Sequence, residues 1–289
     1  MRKDNLTDRE SFNAKYEALQ KILRETGRLA IAFSGGTDST LLLKAAKDIL
    51  NENVLALSAF SESTAEHEKA DVHQLARLLK VPLICMETGE LHDPEFAKNA
   101  KDRCYVCRKI RFTALLKKAA ELGFERIADG ENADDAKDFR PGTQAARELG
   151  VQSPLREAGL TKADIRILSK QLDLPTWNKP ASACLASRIP YGQEITAEKL
   201  AQVDQAEAFI RSLNLTWQIR VRHEGSTARI EADEESLGKF TESTIRRKII
   251  SFLKSLGFAF VALDLEGYST GSLNRSLGMQ KEEKWTKGN

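Results

Sequence analysis

The chain has 289 residues, enough for one or two domains, and its 44 Lys and Arg residues nearly balance its 42 Asp and Glu residues, for a net charge of +2. This balance argues against a dedicated nucleic-acid-binding protein, which usually has a strong basic excess. No apolar run approaches the ~20 residues needed to cross a bilayer, and the charged N-terminus has no apolar stretch typical of a secretory signal. We therefore expect a cytoplasmic protein whose four cysteines are reduced.

The N-terminal part of the sequence alternates between short apolar runs and helical patterns. This alternation predicts an α/β fold, a parallel sheet with helices on both faces. Ligands of such sheets bind at the carboxyl ends of the strands, where the loops after the predicted strands would meet. In chain order the helices and strands are predicted at Phe12–Thr26, Leu29–Phe33 (strand), Thr40–Leu50, Val54–Ala59 (strand), Glu66–Leu79, Leu83–Met86 (strand), Arg108–Leu122 and Arg126–Asp129 (strand).

The pattern changes after Pro190. Helix, strand, strand, helix and strand then follow one another, which predicts a small α+β domain. The predicted boundaries are Thr196–Leu213, Thr216–His223, Thr227–Ala232, Thr241–Leu256 and Phe258–Leu263, followed by a polar tail at Met279–Asn289. We accordingly predict two domains, residues 1–190 and 191–289.

The most informative segment follows the first predicted strand. It consists of Ser34, Gly35, Gly36, Thr37, Asp38 and Ser39. A strand that opens through glycines into a helix forms an anion site, because the backbone approaches closely and the first-turn N–H groups point outward. The Gly-Lys-Ser/Thr ending of a Walker loop is missing. Asp38 would repel a phosphate, and a Mg²⁺ ion between the carboxylate and the phosphates removes that objection.

Ser-Gly-Gly-Thr-Asp-Ser resembles the pyrophosphate loop (PP loop), Ser-Gly-Gly-x-Asp-Ser, of ATP pyrophosphatases. An ordinary glycine-rich turn is the alternative interpretation. The resemblance implies a fold of the adenine nucleotide alpha hydrolase-like type. It also implies an enzyme that splits ATP between the α and β phosphates, adenylates a substrate oxygen and releases pyrophosphate.

Polar residues gather after the fourth predicted strand, in residues 128–135. Asp129, Asn132 and Asp135 would lie at the same sheet edge as the PP loop, which favours contacts to Mg²⁺ and to the ribose over the alternative of a solvated turn. Together with Asp138 and Arg140, the block resembles the second motif of one branch of the ATP pyrophosphatases.

Cys104 and Cys107 are predicted to lie in a loop just before a helix. The helix N-terminus and the cations Arg108 and Lys109 would favour their thiolate forms. The pair suits half a zinc site, a redox pair or part of an iron–sulfur site, and no histidine has the spacing to complete a zinc site. Cys85 falls in a predicted buried strand and is interpreted as a core residue.

Cys184 lies in a loop bounded by prolines, residues 179–192, and Arg188 follows it closely. The adjacent guanidinium would favour the thiolate, and an inert apolar side chain is the alternative. The segment closely resembles the Ala-Cys-Leu-Ala-Ser-Arg-x-Pro-Tyr-Gly signature of the LarE family. These enzymes insert sulfur into the pyridinium mononucleotide precursor of the nickel-pincer cofactor. The resemblance extends from about residue 10 to 270 and includes Arg220, Arg222 and Glu231.

The number of cysteines separates two chemistries within this family. In one group, a single cysteine at the position of Cys184 gives up its sulfur and becomes dehydroalanine. In another group, that cysteine joins a Cys-x-x-Cys pair, and three thiolates hold a 4Fe-4S cluster whose fourth iron binds external sulfide. Cys104, Cys107 and Cys184 fit the second group, while sacrificial transfer and a zinc site stay open as alternatives.

The resemblance implies that Mg-ATP adenylates a carboxylate of pyridinium-3,5-biscarboxylic acid mononucleotide and that sulfide then replaces AMP. Arg108 and Lys109 are candidates for stabilising the phosphate charge. Arg188, Arg220 and Arg222 are candidates for clamping the substrate phosphate, and an exposed strand face is the alternative for the last two. The sulfur would come from sulfide or a sulfur donor.

The resemblance also implies a homo-oligomer, a hexamer as in the family. Three other functions remain as alternatives. A tRNA thiolase would also combine a PP loop with cysteines, but the near-neutral charge argues against it. An amidotransferase-type ligase leaves the cysteines without a role. The third is a non-enzymatic iron–sulfur or sulfur carrier that senses ATP.

Overall fold

The computed structural model describes residues 4–135, 141–180, 183–269 and 272–273, with only the backbone for residues 4–12 and 141. Asp138, Arg140 and the predicted polar tail lie outside these residues. The chain forms two compact units. The first comprises Met1–Phe96 and Lys101–Ser182, and the second comprises Ala97–Ala100 and Ala183–Asn289.

The boundary between the units lies between residues 182 and 183, whereas the sequence predicts a domain boundary at residue 190. The second unit also takes Ala97–Ala100, because the backbone oxygen atoms of Ala97 and Asn99 accept hydrogen bonds from Ile195 and Gly192. These contacts involve residues nearly a hundred positions apart in the chain, so no local pattern indicates them.

The first unit contains a four-stranded parallel sheet, as predicted. Its strands are β1 (Leu29–Ala32), β2 (Val54–Phe60), β3 (Leu83–Glu87) and β4 (Ile127–Ala128), in the order β3-β2-β1-β4. In the register, Ile31 pairs with Ala56 on one side and with Ala128 on the other. Because helices cover a parallel sheet on both faces, its two inner strands, β1 and β2, are apolar almost throughout.

Eight helices of this unit fall within the described residues. They are α1 (Asp4–Thr26), α2 (Thr37–Leu50), α3 (Glu66–Leu78), α4 (Pro94–Ala97), α5 (Arg103–Glu121), α6 (Pro141–Glu148), α7 (Pro154–Glu157) and α8 (Lys162–Gln171), with 3₁₀ turns at Asn51–Asn53 and Glu90–His92. Leu41 and Leu42 of α2 are buried in one core cluster together with Ile31. Phe112 and Leu115 of α5 are buried in another.

Three helices begin earlier than predicted. Helix α1 begins at Asp4 rather than Phe12, α2 at Thr37 rather than Thr40, and α5 at Arg103 rather than Arg108. The first four N–H groups of a helix have no acceptor within the helix, so a helix can begin in residues that carry no apolar repeat. Apolar periodicity therefore does not reveal them. Helices α4 and α6 to α8 are additional to the predicted elements.

The second unit contains a three-stranded sheet. Its elements are a 3₁₀ turn at Leu185–Arg188, α9 (Ala197–Ser212), β5 (Ile219–Glu224), β6 (Thr227–Ala232), a 3₁₀ turn at Glu234–Ser236, α10 (Leu237–Thr241), α11 (Ser243–Ser255) and β7 (Phe260–Leu263). The strand order is β5-β6-β7, with β5 and β6 antiparallel and β6 and β7 parallel. Ile210, Val221, Ile230 and Leu253 lie in its core.

Three predicted elements of this unit begin at least two residues later in the structure. The predicted helix Thr241–Leu256 is α11, which begins at Ser243 because Glu242 has an extended ψ of 128°, and α10 precedes it as an additional helix. Strand β7 begins at Phe260 rather than Phe258. Strand β5 begins at Ile219 rather than Thr216, because the Thr216 hydroxyl donates to the Gln218 carbonyl and forms a turn. None of the helices in the described ranges is both long and apolar enough to cross a membrane.

Candidate active site

The glycine turn after β1 has the geometry of an anion-binding loop. Gly35 has φ +67°, which favours glycine, and a Cβ atom there would crowd Val72 Cγ2 at 3.1 Å. Gly36 is the N-cap of α2, and no side chain caps the helix. The Ser34 and Ser39 hydroxyls lie 3.1 Å apart, and Thr37 Oγ1 donates to the Thr176 carbonyl at 2.8 Å. The first-turn amides of α2 therefore remain available to a ligand.

Asp38 lies in the first turn of α2 with one cation and one further acid beside it. Lys162 Nζ donates to both Asp38 carboxylate oxygens, at 2.7 and 2.8 Å. Burial raises the pKa of Asp38, the Asp135 carboxylate raises it further, and Lys162 and the Asn132 side chain oppose this effect. The structure thus brings together Asp38, Asn132 and Asp135 as predicted. Lys162 was missed because it is a lone polar residue at the start of a helix.

A second lysine, Lys179, binds the backbone of the glycine turn. Lys179 Nζ donates to the Gly35 carbonyl oxygen at 3.1 Å and forms an ion pair with Asp71 of α3 at 2.7 Å. The ammonium group thereby fixes the turn to α3. Lys179 is also the first residue of the predicted Cys184 loop.

The end of β4 lies against the N-terminus of α2. A Cβ atom on Gly130 would come within 2.9 Å of the Ser39 backbone nitrogen. Next to it, Asp129 Oδ1 accepts hydrogen bonds from Ser153 Oγ at 2.9 Å and from the Glu131 amide at 3.1 Å, while the buried Oδ2 has no hydrogen-bond partner among the described residues. Burial raises the pKa of Asp129, against the opposing charge of Arg108. The orphaned oxygen suits a hydroxyl donor from a ligand.

The predicted loop position of Cys104 and Cys107 is wrong, because both residues lie in the first two turns of α5. Their spacing of three residues places the exposed Cys104 and the half-buried Cys107 on the same side of the helix. Arg108 lies over the Phe112 ring at 5.6 Å, and Lys109 Nζ lies 5.7 Å from the Tyr105 ring.

A buried carboxylate beside Cys107 was missed in the sequence. Glu90 is fully buried; its Oε1 atom accepts hydrogen bonds from Arg111 Nε and from Thr88 Oγ1 at 3.0 Å, and Cys107 Sγ lies 3.9 Å away. Arg111 also donates from Nη2 to Ser61 Oγ at 2.9 Å, in the loop after β2. Glu90 and Arg111 therefore connect the loops after β2 and β3 with the cysteine helix. Arg111 follows Cys107 by four residues, a helical spacing that could have indicated it.

Arg188 is engaged by a carboxylate rather than open to a phosphate. Its Nε and Nη2 atoms donate to the two Glu207 oxygens at 2.8 and 2.9 Å, and both residues are buried. Its Nη1 donates to the Cys184 carbonyl at 3.0 Å. The structure thus gives Arg188 the role of fixing the backbone at Cys184.

Arg220 and Arg222 are buried, which excludes the alternative of an exposed strand face. Arg222 donates to both Glu231 oxygens, at 2.9 and 2.6 Å, and to the Ser187 carbonyl at 2.7 Å. Arg220 lies over the Tyr268 ring at 5.3 Å, and burial, reinforced by the charge of Arg188, lowers the pKa of its guanidinium. A phosphate clamp formed by Arg222 would share that residue with Glu231.

The interpretation of Cys85 as a core residue is correct only in part. Its thiol is half-buried, packs against the sheet core and lies 3.7 Å from His73 Nε2. Cys85, His73 and Phe60 line a cavity of about 530 Å³. Burial raises the pKa of the Cys85 thiol, so this cysteine is a poor nucleophile compared with a free thiolate.

Over the described ranges, no group of three or more His, Cys, Asp or Glu side chains is arranged to hold a metal ion. Asp38 and Asp135 provide two carboxylates, the number that Mg²⁺ commonly takes from a protein when nucleotide phosphates supply further ligands.

Comparisons with known proteins agree with this site. Residues 8–139 match the model of the PP-loop domain. The chain is 41% identical over 266 residues to the uncharacterized protein slr1717 of Synechocystis sp., covering 92% of this chain and 99% of that protein. It is 30% identical over 241 residues to the protein MJ0830 of Methanocaldococcus jannaschii, covering 83% and 90%.

A third relative has an assigned activity. The pyridinium-3,5-bisthiocarboxylic acid mononucleotide synthase of Lactiplantibacillus plantarum is 38% identical over 264 residues, 91% of this chain and 95% of that protein. The similarity therefore spans the PP loop, the Cys184 segment and the arginine pair on β5 alike. With that coverage, the chain belongs to the LarE family of ATP-using PP-loop sulfurtransferases.

Proposed function

We propose that this enzyme activates a carboxylate of pyridinium-3,5-biscarboxylic acid mononucleotide with Mg-ATP and replaces the activated oxygen with sulfur. The observation that supports this most directly is that this chain combines a PP loop with the Cys184 segment and is similar, over 91% of its length, to a bisthiocarboxylic acid mononucleotide synthase. The location we propose is the cytoplasm. A hexameric assembly is carried over from the family.

ATP would bind with its phosphates at the N-terminus of α2. The uncapped amides of the first turn and the Ser34 and Ser39 hydroxyls are the donors, and the orphaned Asp129 Oδ2 would accept a ribose hydroxyl. Asp38 and Asp135 would hold Mg²⁺. Lys162, which neutralises Asp38 in the free enzyme, would then be released toward the phosphates, where its charge stabilises the pyrophosphate that leaves.

Sulfur delivery would depend on Cys104, Cys107 and Cys184. The donor set fits a 4Fe-4S cluster, since thiolates are its usual ligands and two of the three cysteines share one side of α5. When bound, the cluster would hold external sulfide at the iron that has no protein ligand. Sacrificial transfer of the Cys184 sulfur is the second candidate, because the same cysteine is present for it.

The cations divide between the two steps. Arg108, whose charge acts on the buried Asp129, and Lys109 are proposed to stabilise the phosphates of ATP. Arg220 and Arg222 are proposed to bind the phosphate of the mononucleotide. Arg188 belongs with Cys184 through its bond to the Cys184 carbonyl.

Anaerobic purification followed by turnover tests the proposal. We expect a brown protein with about four irons per chain and pyrophosphate release that requires the pyridinium mononucleotide. A colourless protein that loses ~34 Da from one cysteine on turnover would instead establish sacrificial transfer. Turnover triggered by tRNA but not by the mononucleotide would overturn the substrate, and pyrophosphate release without either would leave only an ATPase.

Replacing Gly130 by alanine is predicted to weaken ATP binding. The added Cβ atom would press on the Ser39 backbone nitrogen at 2.9 Å and displace the first turn of α2. We expect the dissociation constant of Mg-ATP, measured calorimetrically with a non-hydrolysable analogue, to rise about ten-fold, which corresponds to ~1.4 kcal/mol.

Gly238→Ala is the matched control for Gly130→Ala. Gly238 is helical, and a Cβ atom there meets nothing within 4 Å, so its affinity for the analogue is expected to stay at the wild-type value. Unchanged affinity of the Gly130 variant would show that nucleotide phosphates do not bind at this turn.

A further inference from the structure

Asn99 is a fully buried polar residue in a left-handed backbone conformation, with φ +56°. It lies between α4 and α5 in the four-residue segment Ala97–Ala100, which belongs to the second unit although the chain on both sides belongs to the first. Asparagine tolerates this conformation better than most residues do, but burying its amide costs free energy unless the amide is hydrogen-bonded.

The Asn99 amide faces three carbonyl groups at the C-terminal end of the Cys184 motif and just after it. Its Nδ2 atom lies 3.2 Å from the Ile189 oxygen, 2.8 Å from that of Pro190 and 2.9 Å from that of Gln193. The two N–H groups of the amide are therefore shared among three acceptors, all of them main-chain atoms.

Backbone hydrogen bonds add to this contact between Ala97–Ala100 and residues 189–195, which we call the junction. The Asn99 carbonyl accepts from the Gly192 amide at 3.1 Å, and the Ala97 carbonyl accepts from the Ile195 amide at 2.8 Å. Five hydrogen bonds thus fix residues 189–195 to four residues from elsewhere in the chain. At its other end, the Cys184 motif is fixed by the bonds from Arg188 to the Cys184 carbonyl and to Glu207.

We propose that Asn99 is a positioning residue for sulfur transfer, which fixes the chain on the C-terminal side of Cys184. Cys184 precedes Ile189 by five residues, and Cys104 follows Asn99 by five residues, so both cysteine segments continue directly from the junction. The side-chain hydrogen bonds described for Asn99 go to backbone carbonyl groups of residues 189–193, and the PP loop lies in the other unit. Loss of Asn99 is therefore expected to spare adenylation and to impair the delivery of sulfur to the activated carboxyl. This inference rests on the proposed function.

The test compares Asn99→Gly with wild-type enzyme of the full chain. Glycine adopts the same φ without strain but removes the three side-chain hydrogen bonds. We expect pyrophosphate release to stay within two-fold of wild type, while the thiocarboxylate formed per pyrophosphate released falls at least ten-fold, because an unattacked adenylate is hydrolysed. Asn99→Asp keeps the size of the side chain but places a carboxylate oxygen against the three carbonyl oxygens that the amide nitrogen faces. The thiocarboxylate formed per pyrophosphate released should fall in this variant as well.

Asn214→Gly serves as the matched control. Asn214 is an exposed residue with φ +52° in the same unit, so this variant makes the same chemical change away from the junction. Its yield of thiocarboxylate per pyrophosphate released should match wild type. A wild-type ratio in the Asn99 variants, or a parallel loss of pyrophosphate release, would overturn the inference.

Hydrogen exchange separates a failure of this inference from a failure of the proposed function. The amides of Gly192 and Ile195 should exchange faster in Asn99→Gly than in wild type, whatever reaction the enzyme catalyses. If wild-type enzyme forms no thiocarboxylate, the proposed function fails. The exchange rates of the Gly192 and Ile195 amides still show whether Asn99 fixes this segment. Unchanged exchange in both Asn99 variants would show that Asn99 does not hold this segment.

Discussion

Cys184→Ala is expected to abolish thiocarboxylate formation while pyrophosphate release that depends on the mononucleotide continues. In the proposed function, adenylation depends on the PP loop, Asp38 and Lys162, which lie in the first unit, and none of their described contacts involves Cys184. Sulfur transfer needs Cys184 in both chemistries, as a ligand of the cluster or as the donor itself. Mass spectrometry of the nucleotide product and a pyrophosphate assay on the same sample measure the two steps.

Cys85→Ala is the matched control, since it removes the one cysteine that has no role in the proposal. It should retain both activities. The Cys104→Ala, Cys107→Ala double variant then separates the two chemistries. Loss of both iron and thiocarboxylate supports the cluster, and a single turnover with full yield supports sacrificial transfer. Loss of pyrophosphate release in Cys184→Ala would show that the two steps are not divided among these residues.

The parts of the site that the sequence predicts are those that depend on neighbouring residues. The strand, glycine turn and helix around Gly35 follow one another within a few residues, so propensity and apolar pattern determine them together. The clustering of Asp38 with Asp135 also follows from simple topology, because the carboxyl ends of adjacent parallel strands β1 and β4 meet at one edge.

The partners of the buried arginines required tertiary information. Arg188 and Glu207 are separated by nineteen residues and a helix boundary, and nothing local selects that pair. Arg222 and Glu231 were within reach of prediction. The strands β5 and β6 form a hairpin in which Arg220 pairs with Glu231, which makes Arg222 its diagonal neighbour. Asn99 and Lys179 were missed because single polar residues in loops leave no periodic signal.

Glu207→Gln is expected to destabilise the second unit by about 3–5 kcal/mol, because it leaves the buried Arg188 without a charge partner. Glu207 is fully buried and receives Arg188 on both oxygens, Arg211 at 2.8 Å and the Val221 amide at 3.0 Å. Glutamine retains the shape but cannot balance these cations. A lower midpoint of urea unfolding, followed by circular dichroism, measures the loss.

The pH dependence gives the same prediction a second readout. Burial alone would raise the pKa of Glu207, but Arg188, Arg211 and Arg220 together hold it below the usual value of 4.5. A carboxyl with a lowered folded-state pKa stabilises the fold at pH values above its unfolded pKa, and this contribution disappears as the pH falls through the folded pKa. Wild type should therefore lose stability on acidification below pH 4.5, and Glu207→Gln should lose less over that range.

The double variant Arg188→Met, Glu207→Gln distinguishes a charge effect from a packing effect. If the cost of Glu207→Gln comes from the unbalanced guanidinium, removing that guanidinium recovers part of the lost stability, since an apolar side chain needs no partner. If the cost comes from misfit of the glutamine, the second substitution adds to the damage. Stability that is unchanged in Glu207→Gln alone would mean that water, rather than Glu207, balances the charge of Arg188.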